Sequence, residues 1–188
     1  TVFRLGWRSD RGQRGAAPGG GQVRYRRQDV VERAIALLDE RGIDGLTMRR
    51  LAADLGVQPG ALYHHFEGKD ALLQAAADEI LRRGRRPAEI MAWDAELHLL
   101  CLGLRDAMCR HRDGALLIAQ VHRTDAEALE RPLRAALERA GAPDDLARLG
   151  SRALVRFVLA HEDDDAGDFN LGLGLLLDGL RQRVSPSS

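Results

Sequence analysis

The chain is predicted to be all-α, with an amino-terminal three-helix helix–turn–helix domain and a larger helical domain behind it. Three observations predict this. Apolar residues recur at three- and four-residue spacing along most of the 188 residues, and no stretch shows strand alternation. In the first half Gly42, Gly56, Pro59 and Gly68 fall at the ends of these runs, as Gly and Pro do at helix ends. The formal net charge of zero also divides unevenly. Residues 1–86 carry 16 Arg/Lys against 11 Asp/Glu, and residues 87–188 carry 12 against 17. A basic first half and an acidic second half suit different partners.

The elements follow in order. Residues 1–25 are rich in Arg and Gly without periodicity and read as a flexible arm, with a nucleic-acid groove as its sharper use. Residues 26–70 form the helix–turn–helix domain. Its first helix spans Asp29 to Arg41 on Val30, Ala34, Leu37 and Leu38, and Gly42 ends it. After the connection "IDGLT", Thr47 caps a second helix, 48–55, which Gly56 closes. Gln58 and Pro59 start a third, with Pro in the first turn where its missing N–H does no harm. Gly68 stops it and Lys69 opens a connecting helix over 69–83, which leads into the second domain, 71–188. That domain holds a long apolar helix at about 93–110, a short one at 113–121 after "RHRDG", and another at 125–140. "GAP" separates the last from a helix over Asp144–His161, and "EDDDAGD" precedes the final run "FNLGLGLLLDGLRQR".

Several function classes are disfavoured. Cys101 and Cys109 lie about 12 Å apart along one helix, too far for a disulfide, and read as buried apolar residues of a reducing cytoplasm. No His-x₃-His or Cys-x₂-Cys pair occurs among the histidines and cysteines, so no metal site is expected. No nucleophile–base pair or phosphate loop is recognisable, so the chain is expected to be no enzyme and to need no cofactor. No apolar run approaches the ~18 residues of a membrane span, and no signal peptide opens the chain. A cytoplasmic protein without a membrane partner is expected.

The stretch "LTMRRLAADLGVQPGALYHHF" carries the function. Leu51, Ala52 and Leu55 face inward from one short helix, and Leu62 and Phe66 answer from the next. Pro59, Gly60, Ala61, Tyr63 and His64 are left on the outer side. An α-helix fits the major groove of B-DNA, and small residues at its start let backbone approach backbone. Tyr63 and the histidines can donate to phosphates or pack on thymine methyls, and Arg49 can reach base edges or phosphate. Lys69 sits at the start of the next helix, where free N–H groups favour an anion.

The run "VVERAIALLDERGIDGLTMRRLAADLGVQPGALYHHFEGKDALLQAA" closely resembles the DNA-binding domain of the tetracycline-repressor (TetR) family. Gly42, Gly45-Leu46-Thr47, Leu55-Gly56-Val57, Leu62-Tyr63, Phe66 and Lys69 carry the likeness. "RHRDGALL" and "FNLGLGLLLDGL" are similar to the ligand-binding domain of the tetracycline-repressor branch, although "EDDDAGD" is shorter than that branch's usual connection. The resemblance implies a homodimeric helical repressor that binds a palindromic operator and leaves it when a small molecule binds. Residues matching Thr47, Arg49, Tyr63, His65 and Lys69 commonly touch DNA in that family, and Met48 and Gln58 complete the candidate DNA-binding set.

The effector is expected to be a small apolar organic molecule. Its wall would comprise Met91, Trp93, Leu97, Cys101, Leu104 and Met108, faced by Ile118, Val121, His122, Phe157 and His161. Counting from the shared "RDGA", Ile118 occupies the place where tetracycline-binding relatives put a metal-holding histidine. The glycines of the last helix suggest close approach across a dimer, with Leu146, Leu149, Ala153, Gly172, Gly174 and Leu175 in a two-subunit four-helix bundle. The rival reading is a helical adaptor whose basic face binds an acidic protein without operator DNA. Tyr63 and Lys69 at the family's spacing argue against it.

Overall fold

The computed structural model describes residues 25–84 and 92–184, which among themselves form helices and no strand. The greater part of the arm, together with Met91, lies outside the described residues. Helix α1 runs over Arg27–Gly45, α2 over Met48–Leu55, α3 over Pro59–Tyr63 and α4 over Lys69–Gly84. The second half holds α5 (Trp93–Cys109), α6 (Gly114–Thr124), α7 (Ala126–Arg139), α8 (Asp144–Ala160) and α9 (Ala166–Val184).

Local chemistry sets the ends of the short helices. Asp29 turns back to accept from the Arg26 N–H at 2.8 Å, opening α1. Thr47 Oγ1 accepts from the Arg50 N–H at 3.2 Å and caps α2. Gly56, at φ +68, closes α2 in the left-handed region, and the following Val57 N–H reaches Ala52 O at 2.9 Å. The cap at Thr47 and the stop at Gly56 match the sequence reading, but α3 ends at Tyr63 rather than at Gly68, and α1 also differs. It bends at Gly42 (φ +74, ψ 175) and takes a further turn through Gly45, where the sequence implied a connection.

The head buries one face of each helix. Leu38, Leu46, Leu51, Leu62 and Leu72 are almost fully enclosed, with Phe66 closing the bottom of α3. Ion pairs then fasten the outside. Arg33 holds both Asp54 on α2 and Glu40 on its own helix. The buried Glu79 accepts from Arg82 and Arg83, whose guanidiniums pull its carboxyl down to about 2 against the opposing effect of burial. Arg83 also meets Glu32, so α4 is tied to α1 along its length.

Helix α5 is the centre of the second half and packs against α4, α6, α7, α8 and α9. Its crossing with α4 is close because Gly84 and Gly103 meet. A Cβ on either glycine would stand 2.9 Å from the other's carbonyl oxygen. Helices α7 and α8 form an antiparallel pair turned by Gly141 at φ +82. Helix α9 starts three residues before the expected Phe169. Asp165 accepts from the N–H groups of Gly167 (2.6 Å) and Asp168 (3.1 Å), so part of the acid run is a helix cap. Those bonds favour the ionised form and lower the Asp165 carboxyl below the usual range.

Candidate functional site

On the head, Pro59, Gly60, Tyr63 and His64 are exposed while Leu62 between them is buried. Tyr63 keeps 55% of its surface, which for a phenol standing on a packed helix leaves most of the ring and its hydroxyl outward. Thr47, Arg49 and Gln58 are exposed beside them, and Ala61 and His65 are half-buried. Met48 does not belong to this face. It is 8% exposed, because its place one turn before Leu51 and Ala52 points it into the three-helix core. The two arginines of α2 also differ. Arg50 Nη1 donates to Gly45 O at 2.9 Å, whereas Arg49 has no side-chain partner among the described residues.

The head meets the second half at the bend of α1. Asp113, itself at φ +55 before α6, aims its carboxylate across the junction and accepts from the Ile43 N–H at 2.9 Å. Lys69 Nζ donates to the Ile43 carbonyl at 3.1 Å. One peptide residue is thus held by α4 on one side and by the start of α6 on the other. Asp39 adds His111 Nδ1 at 3.0 Å and the Arg112 N–H at 3.1 Å, and Arg112 Nη1 donates to Glu40 O at 3.1 Å. In the DNA-free chain Lys69 is therefore half-buried and engaged, with two N–H donors left for an anion.

The candidate effector wall is mostly closed core. Leu97, Cys101, Leu104 and Met108 line one face of α5, and Ile118 and Val121 lie buried on α6. Burial pushes the Cys101 thiol up to about 12, so it acts as an apolar wall group. Phe157 stacks on His161 with ring centroids 4.4 Å apart and tilts against Phe169 at 5.3 Å. His161 Nδ1 is engaged with Phe157 O at 2.8 Å. His122 is different. Its Nδ1 is buried without a hydrogen-bond partner among the described residues, an arrangement that native proteins rarely leave unanswered. Trp93 packs partly buried against the core, on the same helix as the α5 face. The sequence reading missed Arg105, whose guanidinium lies 4.6 Å over the Phe169 ring and bonds Asp164 O. No local motif marks it, because its neighbours come from α9 and the loop before it.

The candidate dimer residues divide. Leu149 (52%) and Leu175 (68%) are exposed, as are Ala153 and the unpredicted Leu171 (67%), so α8 and α9 each carry an exposed apolar i, i+4 pair. Among the described residues, no atom of another element lies within 4 Å of where a Cβ on Gly174 would stand. Leu146 is half-buried in its own chain. Gly172 is also tightly packed within its own chain, since a Cβ there would meet the Phe157 ring at 2.7 Å.

A helix–turn–helix head with an exposed reading face, clamped to a larger helical body, defines a DNA-binding regulator. The sequence pattern of "Bacterial regulatory proteins, tetR family" matches residues 30–76. Over 96 residues the chain is 44% identical to tetracycline repressor protein class D of Escherichia coli, a stretch that spans 50% of this chain but 44% of that repressor. A solved structure of a possible TetR family transcriptional regulator from Streptomyces coelicolor A3(2) is 30% identical, with a TM-score of 0.72, over 83% of this chain and 98% of that one. BioQ bound to its double-stranded DNA operator is 40% identical, with a TM-score of 0.72, over 83% and 98%. The chain belongs to the TetR family, whose members are transcription regulators and not enzymes. Among the described residues, no helix is long and apolar enough to cross a membrane.

Proposed function

We propose that the chain is a ligand-responsive repressor, working in the cytoplasm, that binds a palindromic operator as a homodimer and is released by a small organic effector. The observation that carries this reading is the exposed face of Arg49, Pro59, Gly60, Tyr63 and His64 on a head whose other face is fully packed. Such a face is left uncovered among the described residues and suits a major groove. A gel shift with the DNA upstream of its own gene tests it. Arg49→Ala is expected to weaken binding about tenfold or more, the cost of one bidentate base contact, without lowering the melting temperature. Unchanged affinity in that variant removes Arg49 from the interface.

The effector is apolar with one hydrogen-bonding group, a phenol or carbonyl that meets His122 Nδ1. A magnesium–tetracycline complex is not expected, because Ile118 is fully buried and has no lone pair for a cation. In a thermal-shift assay, planar phenolic compounds should stabilise the parent and not His122→Phe. Magnesium-dependent stabilisation by tetracycline at micromolar concentration overturns this.

A further inference from the structure

One exposed arginine of the head is held by a ring rather than by an acid. The guanidinium carbon of Arg27, the first residue of α1, lies 4.7 Å from the centroid of Phe66. Phe66 itself is fixed: it is 3% exposed, and its N–H donates to Leu62 O at 3.0 Å just past the reading helix. His65 adjoins it and Lys69 follows three residues on, so the stack sits at the trailing end of α3 and the head of α4. Several other arginines of the head are engaged, although among the described residues Arg49 is not. Arg33 meets Asp54 and Glu40, Arg50 meets Gly45 O, and Arg82 and Arg83 meet Glu79. Arg27 meets no carboxylate among the described residues.

Two physical points give this arrangement a use. Stacking covers the face of a guanidinium and leaves the N–H donors around its edge free, in a fixed plane. The side chain is then ordered before any partner arrives, which lowers the entropy cost of a later contact. The placement is also unfavourable in isolation. A cation in the first turn of a helix opposes the macrodipole by roughly 0.3–1 kcal/mol, and Asp29 offsets that only in part. An anion docked there would turn the cost into a gain, since it would meet both the guanidinium and the helix end.

We propose that Arg27, stacked on Phe66, is a phosphate clamp that extends the DNA footprint from the end of α3 onto the start of α1. It rests on the operator-binding reading and adds a backbone contact that the reading helix does not supply. Because phosphate carries no sequence information, the clamp acts on any duplex.

The test is fluorescence anisotropy with two labelled duplexes, the DNA upstream of the chain's own gene and a scrambled duplex of equal length. Arg27→Gln is expected to weaken both about fivefold at 0.15 M salt, and to flatten log K against log salt by about one unit. Arg27→Lys keeps the charge and should restore the salt slope while recovering affinity only in part. Arg131→Gln, at an exposed position of α7, controls for net charge and should leave slope and affinity unchanged. If the parent binds DNA and Arg27→Gln matches it in affinity and slope, the clamp is wrong and the repressor reading stands. A lowered melting temperature with an unaltered slope would reduce Arg27 to a packing role and also overturn the clamp. If the parent binds neither duplex, the operator reading falls and the clamp with it.

Discussion

Gly42→Ala is expected to lower the unfolding free energy by about 3 kcal/mol, read from the midpoint of a urea transition. Two costs combine. At φ +74 and ψ 175, the backbone of Gly42 lies in a region that side-chain-bearing residues adopt only at about 1–3 kcal/mol. The added Cβ would also fall against Asp113 Oδ2, which must withdraw. Withdrawal breaks the Asp113–Ile43 bond and leaves a part-buried N–H unanswered, for about another 1–3 kcal/mol. The second cost is separable. Asp113→Ala removes the carboxylate and relieves the crowding, so Gly42→Ala should be milder in that background, with a coupling of about 1 kcal/mol or more between the two sites. Strictly additive losses would mean that Gly42 and Asp113 do not depend on one another.

Gly174→Leu is expected to abolish operator binding without harming the fold of the single chain. Among the described residues nothing lies within 4 Å of the added Cβ, so the substitution starts in open space within its own subunit. Replacing an internal helical glycine should even stabilise α9 by about 0.5–1 kcal/mol. The damage falls on the proposed partner, because Leu171 and Leu175 on the same helix as Gly174, and Leu149 and Ala153 on α8, are exposed among the described residues. Overpacking of two touching helices costs about 1–3 kcal/mol or more. Sedimentation should therefore show a dimer for the parent and a monomer for the variant, with Leu175→Glu behaving alike. Two reading helices must reach half-sites about 34–36 Å apart, so the monomer should also lose the operator. A variant that remains dimeric and binds DNA would move the interface away from α9.

The sequence by itself determined the helical class, the caps at Thr47 and Gly56, the three-helix head and the outward set around Tyr63. Each depends on contacts between residues a few positions apart, and local periodicity or a single capping side chain is enough to specify them. It also marked Gly42 as special, though only as a helix end. What Gly42 does was decided by Asp113, seventy-one residues later, whose carboxylate fills the space a side chain would need. The same holds where the sequence reading went astray. Met48 looked available beside Arg49, and only the packing of α2 on its neighbours turned it inward. Gly172 carries a constraint that its helix does not reveal, since the Phe157 ring of α8 lies where a side chain would go. Arg27, Arg105 and the unanswered His122 nitrogen carry no local signature, because each is defined by groups from other helices or by the lack of them. Short-range spacing sets which face of a helix is apolar; which atoms meet that face depends on how distant segments pack, and a sequence pattern does not hold that information.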